Sequence, residues 1–185
     1  PSIIEVTGYL TGVFKMVQGD EEGLDHLDTS LQGFWRSFWA LIYSIPALYV
    51  IWAIERGLRL QADASLEIGA SAFARDAVAE FLAVAAVLLV VALLSRPMGI
   101  ADRFVPWVVS TNWLTLPVSY VLAAVYLAAS SMASGMLIIL IALVITLVVN
   151  WRVYRVALGG DGLLALAVLL ISMFVAFSIS FSVGS

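Results

Sequence analysis

Cysteine is absent from the 185 residues, which excludes disulfides, thiolate metal sites and cysteine nucleophiles. Histidine occurs once, at His26, too few to build a zinc or iron centre of the usual imidazole type. His26 with Asp25 and Asp28 is the one arrangement that resembles a metal site, and a solvated loop histidine is the simpler reading. No metal or other cofactor is therefore expected. Charge is scarce as well: 12% of residues are charged, about half the share of an average soluble domain. The nine Lys and Arg form no basic stripe, so nucleic acid is not an expected partner. No Gly-rich phosphate loop, histidine pair or intramembrane carboxylate pair is present, and the chain reads as no enzyme. A basic stretch followed by an apolar run and a small-residue cleavage site is also missing, so no signal peptide is expected.

What the chain has is apolar length. Hydrophobic residues make up 63%, and the mean hydropathy is +1.06. Runs of about 20 apolar residues recur, each long enough to cross a bilayer. Five spans are predicted, at about 33–54, 77–94, 104–128, 135–151 and 163–183. The fold class is thus all-α integral membrane, a bundle over 31–185 with the lipid bilayer as its surroundings. Ahead of it, 1–30 holds a short amphipathic helix at 3–17, suited to the interface, and an acidic linker, QGDEEGLDHLDTS. Aromatic residues crowd the ends of the first span (Trp35, Trp39, Tyr49, Trp52), as at a headgroup boundary. Pro46 and Pro117 each remove one helical hydrogen bond and predict kinks. Asp161 in GGDG is placed to cap the last span.

Orientation follows from the cations. Lys15, Arg36, Arg96, Arg103, Arg152 and Arg155 fall on the N-terminal side, and Arg56, Arg59 and Arg75 on the other. That imbalance predicts a cytoplasmic N-terminus and a C-terminus across the membrane, periplasmic in a bacterial inner membrane.

Polar residues within or beside the spans are the candidate sites. STNWLTLP at 110–117 sets Asn112 about 12 Å into the third span, too deep to be left unpaired in lipid. Arg36, Asn150 and Arg152 fall on the same side, and Arg36 or Asn150 is the expected partner of Asn112. This group either lines a polar cavity or supplies helix-to-helix hydrogen bonds. A second group, Arg56, Arg59, Asp76 and Glu80, lies towards the opposite face and is expected to form ion pairs, with Glu80 just inside the boundary. No acidic residue is placed near the middle of the bilayer, where a proton relay would need one. In the last span Ser172, Ala176 and Ser180 recur every four residues, a small-residue stripe that predicts close helix packing.

The layout resembles the Yip family of small membrane proteins: an N-terminal cytoplasmic segment followed by five close-set spans. FWRSFWA at the first span, DRFVPWVVSTNW at the third and YRVALGGDGLLA before the last are similar to segments of proteobacterial inner-membrane proteins. The resemblance implies a five-helix fold and transfers no catalytic residue. The expected function is that of a non-enzymatic accessory, scaffold or assembly subunit, acting through helix packing with copies of itself or a partner membrane protein. The alternative is a small transporter or channel with a polar cavity around Asn112, and a continuous cavity there separates the two. A membrane enzyme acting on lipid finds the least support.

Overall fold

The computed structural model describes residues 1–62 and 69–184. All regular elements among the described residues are helical. In chain order they are α1 (Ile3–Gln18), α2 (Leu31–Ala62), α3 (Ala70–Ser95), α4 (Phe104–Ala129), α5 (Gly135–Ala157) and α6 (Gly162–Gly184), with 3₁₀ turns at Glu21–His26 and Ala101–Arg103. Five of the helices, α2 to α6, are long and apolar enough to cross a membrane. The fold class read from the sequence is the fold observed.

The helix ends follow local chemistry more than hydropathy. α2 continues past the expected end of its span through ERGLRLQA, residues that favour helix once the apolar run is over. α3 likewise begins seven residues ahead of its expected start, at Ala70, and carries Arg75 and Asp76 inside the helix. The polar connection expected at 55–71 is therefore much shorter, and its Asp63 and Glu67 lie outside the described residues. Between α5 and α6, Gly159 and Gly160 adopt φ of 92° and 95°, a region that favours glycine. Asp161 then caps α6 as expected, accepting from the backbone N–H of Leu163 (2.9 Å) and Leu164 (3.0 Å).

Pro46 and Pro117 both sit inside continuous helices. Around Pro117 the hydroxyls serve upstream carbonyls. Ser110 donates to Pro106 O (2.7 Å), Thr111 to Trp107 O (2.8 Å) and Thr115 to Thr111 O (3.0 Å). None of them turns to the carbonyl of Trp113, which lies four residues ahead of the proline.

α2 and α4 pack along each other, α3 packs on α6, and α5 joins α4 to α6. α1 lies against α4 and α5, and its Tyr9, Val13 and Met16 belong to the same core as Trp107, Val108 and Trp113. The segment before α2 therefore shares the bundle's core. A capping box starts α1: Glu5 N–H donates to Ser2 Oγ, and the Ser2 backbone N–H donates to the Glu5 carboxylate. The acidic segment is also docked: Gly12 and Gly23 approach so closely that a Cβ on Gly12 would stand 2.6 Å from Gly23 O. His26 remains exposed, and no group of metal-ligating residues is assembled among the described residues.

Candidate functional site

Two adjoining cavities run into the bundle. The outer one, of about 180 Å³, opens between the last turns of α2, the first half of α3 and the far end of α6. All four residues of the second sequence-predicted group, Arg56, Arg59, Asp76 and Glu80, line it, together with Glu55 and Arg75. Arg56 pairs with the Asp76 carboxylate, donates to Ala72 O at 3.2 Å and lies over the Phe73 ring. Glu55 accepts from the Tyr126 hydroxyl at 3.0 Å. Arg59 and Arg75 are exposed at the rim and form no ion pair among the described residues.

Glu80 is different. It sits ten residues into α3, about 15 Å along the helix and just short of the middle of its 26 residues. The helix starts ahead of the expected span, at Ala70, so its first turns carry Arg75 and Asp76, and Glu80 follows one turn later where the apolar run begins. Glu80 is partly buried and makes no hydrogen bond or ion pair among the described residues; the charge it faces is the like charge of Glu55. It also lines a small side cavity with Leu41, Trp52 and Thr115, residues from the middle of α2 and α4.

The inner cavity, of about 340 Å³, shares Glu80 and Ser180 with the outer one. Side chains from all five long helices line it. Val84, Val87, Leu147, Leu169 and Met173 give apolar walls, and Thr111, Asn112, Thr115, Asn150, Tyr154 and Ser172 give polar ones. Most of the polar hydrogens are already committed. Thr111, Thr115 and Ser172 donate to carbonyls of their own helices, so their oxygens face the cavity as acceptors. Asn150 donates to Thr146 O at 2.9 Å. The Tyr154 hydroxyl is surrounded by the side chains of Ser172, Thr111 and Trp107. Trp107 is 1% exposed, and its buried indole N–H is turned to the Tyr154 hydroxyl.

The first predicted group divides. Asn112 and Asn150 line the inner cavity, whereas Arg36 and Arg152 hold α1. Arg36 donates to both oxygens of Glu5 at 2.7 Å, and Arg152 donates to Val17 O at 3.1 Å. The hydrogen bond from the Ser2 backbone and then the Arg36 guanidinium hold the Glu5 carboxyl down to about 2. Asn112 is buried, and its partner is neither Arg36 nor Asn150: its amide donates to Ser37 Oγ at 2.9 Å. Ser37 is one residue beyond Arg36 and faces α4 in the α2–α4 seam. Asn112→Leu is expected to cost about 1 kcal/mol or less in thermal unfolding, since Ser37 keeps its own bond to Phe34 O and apolar burial offsets the loss.

The stripe Ser172, Ala176 and Ser180 lines the inner cavity. Close helix approach was the expectation; α6 packs along α3, and these three side chains also line the cavity. The bulky Phe174, Phe177 and Phe181 stand on the exposed face of α6. Trp107 and Tyr154, not singled out in the sequence, complete the lining together with Thr111 and Thr115 of the STNWLTLP segment. Trp107, Thr111 and Thr115 are spaced by four, as are Asn150 and Tyr154, so each set falls on one helical face. That regular spacing of polar and aromatic residues inside spans was the available signal.

Comparison with protein-family models, with curated proteins and with solved structures gives no match. Fold and site together define the class: an all-α integral membrane protein whose five long helices line a half-open cavity that adjoins a charged one.

Proposed function

We propose that this protein is a small-solute carrier of the membrane, binding its solute in the inner cavity and admitting it through the charged mouth. With the N-terminus cytoplasmic, as the cation imbalance indicates, the mouth opens on the opposite side, the periplasmic side in a bacterial inner membrane. The observation that carries the proposal is the pair of cavities that share Glu80 and Ser180, one with Arg59 and Arg75 at its rim and the other lined by Asn112 and Tyr154. An ionisable residue inside a span marks a solute or ion path by default, because its burial is costly without a task.

A plug tests the proposal. Ala176→Trp fills the cavity wall, whereas Phe177→Trp changes only the outer face of α6. Proteoliposomes are followed by stopped-flow light scattering under gradients of glycerol, betaine and methylammonium. At least one solute is expected to enter faster than into protein-free vesicles, with Ala176→Trp slowing that entry tenfold or more and Phe177→Trp leaving it unchanged. Absence of protein-dependent entry, or entry indifferent to the plug, would contradict the carrier reading.

A further inference from the structure

A third opening stands apart from the two cavities and shares no residue with the inner one. It is a groove of about 380 Å³ between α1, α4 and α5. Val17 of α1, Val118 and Val121 of α4, and Ile145 and Val149 of α5 are among its apolar walls. Thr146 also lines it, but its hydroxyl proton goes to Ala142 O at 2.9 Å. Val121 and Ile145 are exposed, so the groove lies open to lipid along one side. On α4 it runs from Leu114 to Val121, about 10 Å at helical rise.

One end of the groove meets a cation. Arg152 follows Val149 by three residues and Ile145 by seven, so the three share one face of α5. Its guanidinium donates to Val17 O at 3.1 Å, and Val17 itself lines the groove. Arg152 is exposed and has no carboxylate partner among the described residues. The carboxylates that follow α1, Asp20 and Glu22, stand instead beside Lys15, at 4.0 and 3.4 Å. A guanidinium has five N–H donors, and the contact to Val17 leaves most of them unused.

We infer that the groove binds an anionic phospholipid of the bilayer, with the headgroup phosphate on Arg152 and one acyl chain running along α4 and α5 towards Val121. The inference is independent of the carrier reading. A guanidinium can hold two phosphate oxygens at once. Basic groups beside clefts between spanning helices favour acidic headgroups. A methylene chain asks for no hydrogen bond, and the groove beyond Arg152 offers none.

Native mass spectrometry of the purified full chain in detergent reads the binding of added phosphatidylglycerol and of phosphatidylcholine with the same acyl chains. Phosphatidylglycerol is expected to bind at least tenfold more tightly. Arg152→Gln keeps a donor for Val17 O but removes the charge, and the preference is expected to fall by about tenfold. Arg155→Gln removes an exposed charge three residues further on, and is expected to keep the preference. Val118→Trp fills the groove and is expected to weaken phosphatidylglycerol at least tenfold. Leu170→Trp, on the exposed face of α6, is expected to leave it unchanged. Equal binding of the two lipids to the wild-type chain overturns the inference, as does an equal loss of preference in Arg152→Gln and Arg155→Gln. A dimer mass abolished by Val118→Trp assigns the groove to a second copy and also overturns it. The comparison of the two lipids needs no variant, so it stands even if a variant fails to fold.

Discussion

Trp113→Ala is expected to destabilise the protein by about 3–5 kcal/mol and to loosen α1 from the bundle. Trp113 is 1% exposed, among the largest fully buried side chains, and its ring lies 4.7 Å from that of Tyr9. Tyr9 is the inward anchor of α1, followed by Val13 and Met16 on the same face. In lipid no hydrophobic driving force holds helices together, so the lost dispersion contacts are not recovered by transfer to another apolar surrounding. Removing the indole leaves a cavity at the point where α1, α2 and α4 share their core. Arg36–Glu5 and Arg152–Val17 remain, but both lie nearer the surface and hold the ends of α1 only weakly. Thermal unfolding reads the loss, and tryptic cleavage after Lys15 reads the release. Wild-type melting with wild-type protection of Lys15 would show that α1 docks without this contact.

Glu80→Leu is expected to act in the opposite direction on stability. A carboxylate within a spanning helix is unfavourable, by up to about 2.5–3.5 kcal/mol at the helix centre on insertion scales and by less towards the boundary, and leucine there is favourable. Glu80 has no partner among the described residues to offset that cost. The substitution should therefore stabilise the fold by on the order of 2 kcal/mol while lowering solute entry at least tenfold. A site that is costly to keep and improves stability when removed is the pattern expected of a functional group. Lower stability in Glu80→Leu would instead assign the carboxylate a structural role, and unchanged entry would remove it from the solute path.

The helices were legible because apolar length alone selects them, and the Asp161 cap because its chemistry is local. Depth was less legible. Hydropathy marks where a span becomes apolar, not where its helix begins, and Ser71–Asp76 already belongs to the first turns of α3. Asp76 stays helical there with Arg56 as its partner, a contact between helices that no local pattern announces. The stripe on α6 was legible as a stripe, but spacing of four cannot tell a close helix crossing from a cavity wall; that depends on what α3, α4 and α5 bring opposite. Arg36 and Arg152 were grouped with Asn112 by level in the membrane. Their partners on α1, Glu5 and Val17, are 31 and 135 residues away in sequence, beyond the reach of periodicity. Ser37 escaped notice because a serine near a helix start carries no distinctive signal.

The central claim is that water and small solutes reach the interior of the bundle from the mouth. The chain has no cysteine, so each introduced thiol reports alone. Ser172→Cys places one beside Tyr154 at the inner end, and Phe177→Cys places one on the exposed outer face of α6. The measurement is the rate at which a small cationic methanethiosulfonate reagent, added to one side of reconstituted membranes at a time, modifies each thiol. The account predicts that Ser172→Cys reacts at least tenfold faster than Phe177→Cys, and only when the reagent is on the side where α2 ends and α3 begins. Equal, slow reaction of both thiols from either side would contradict it.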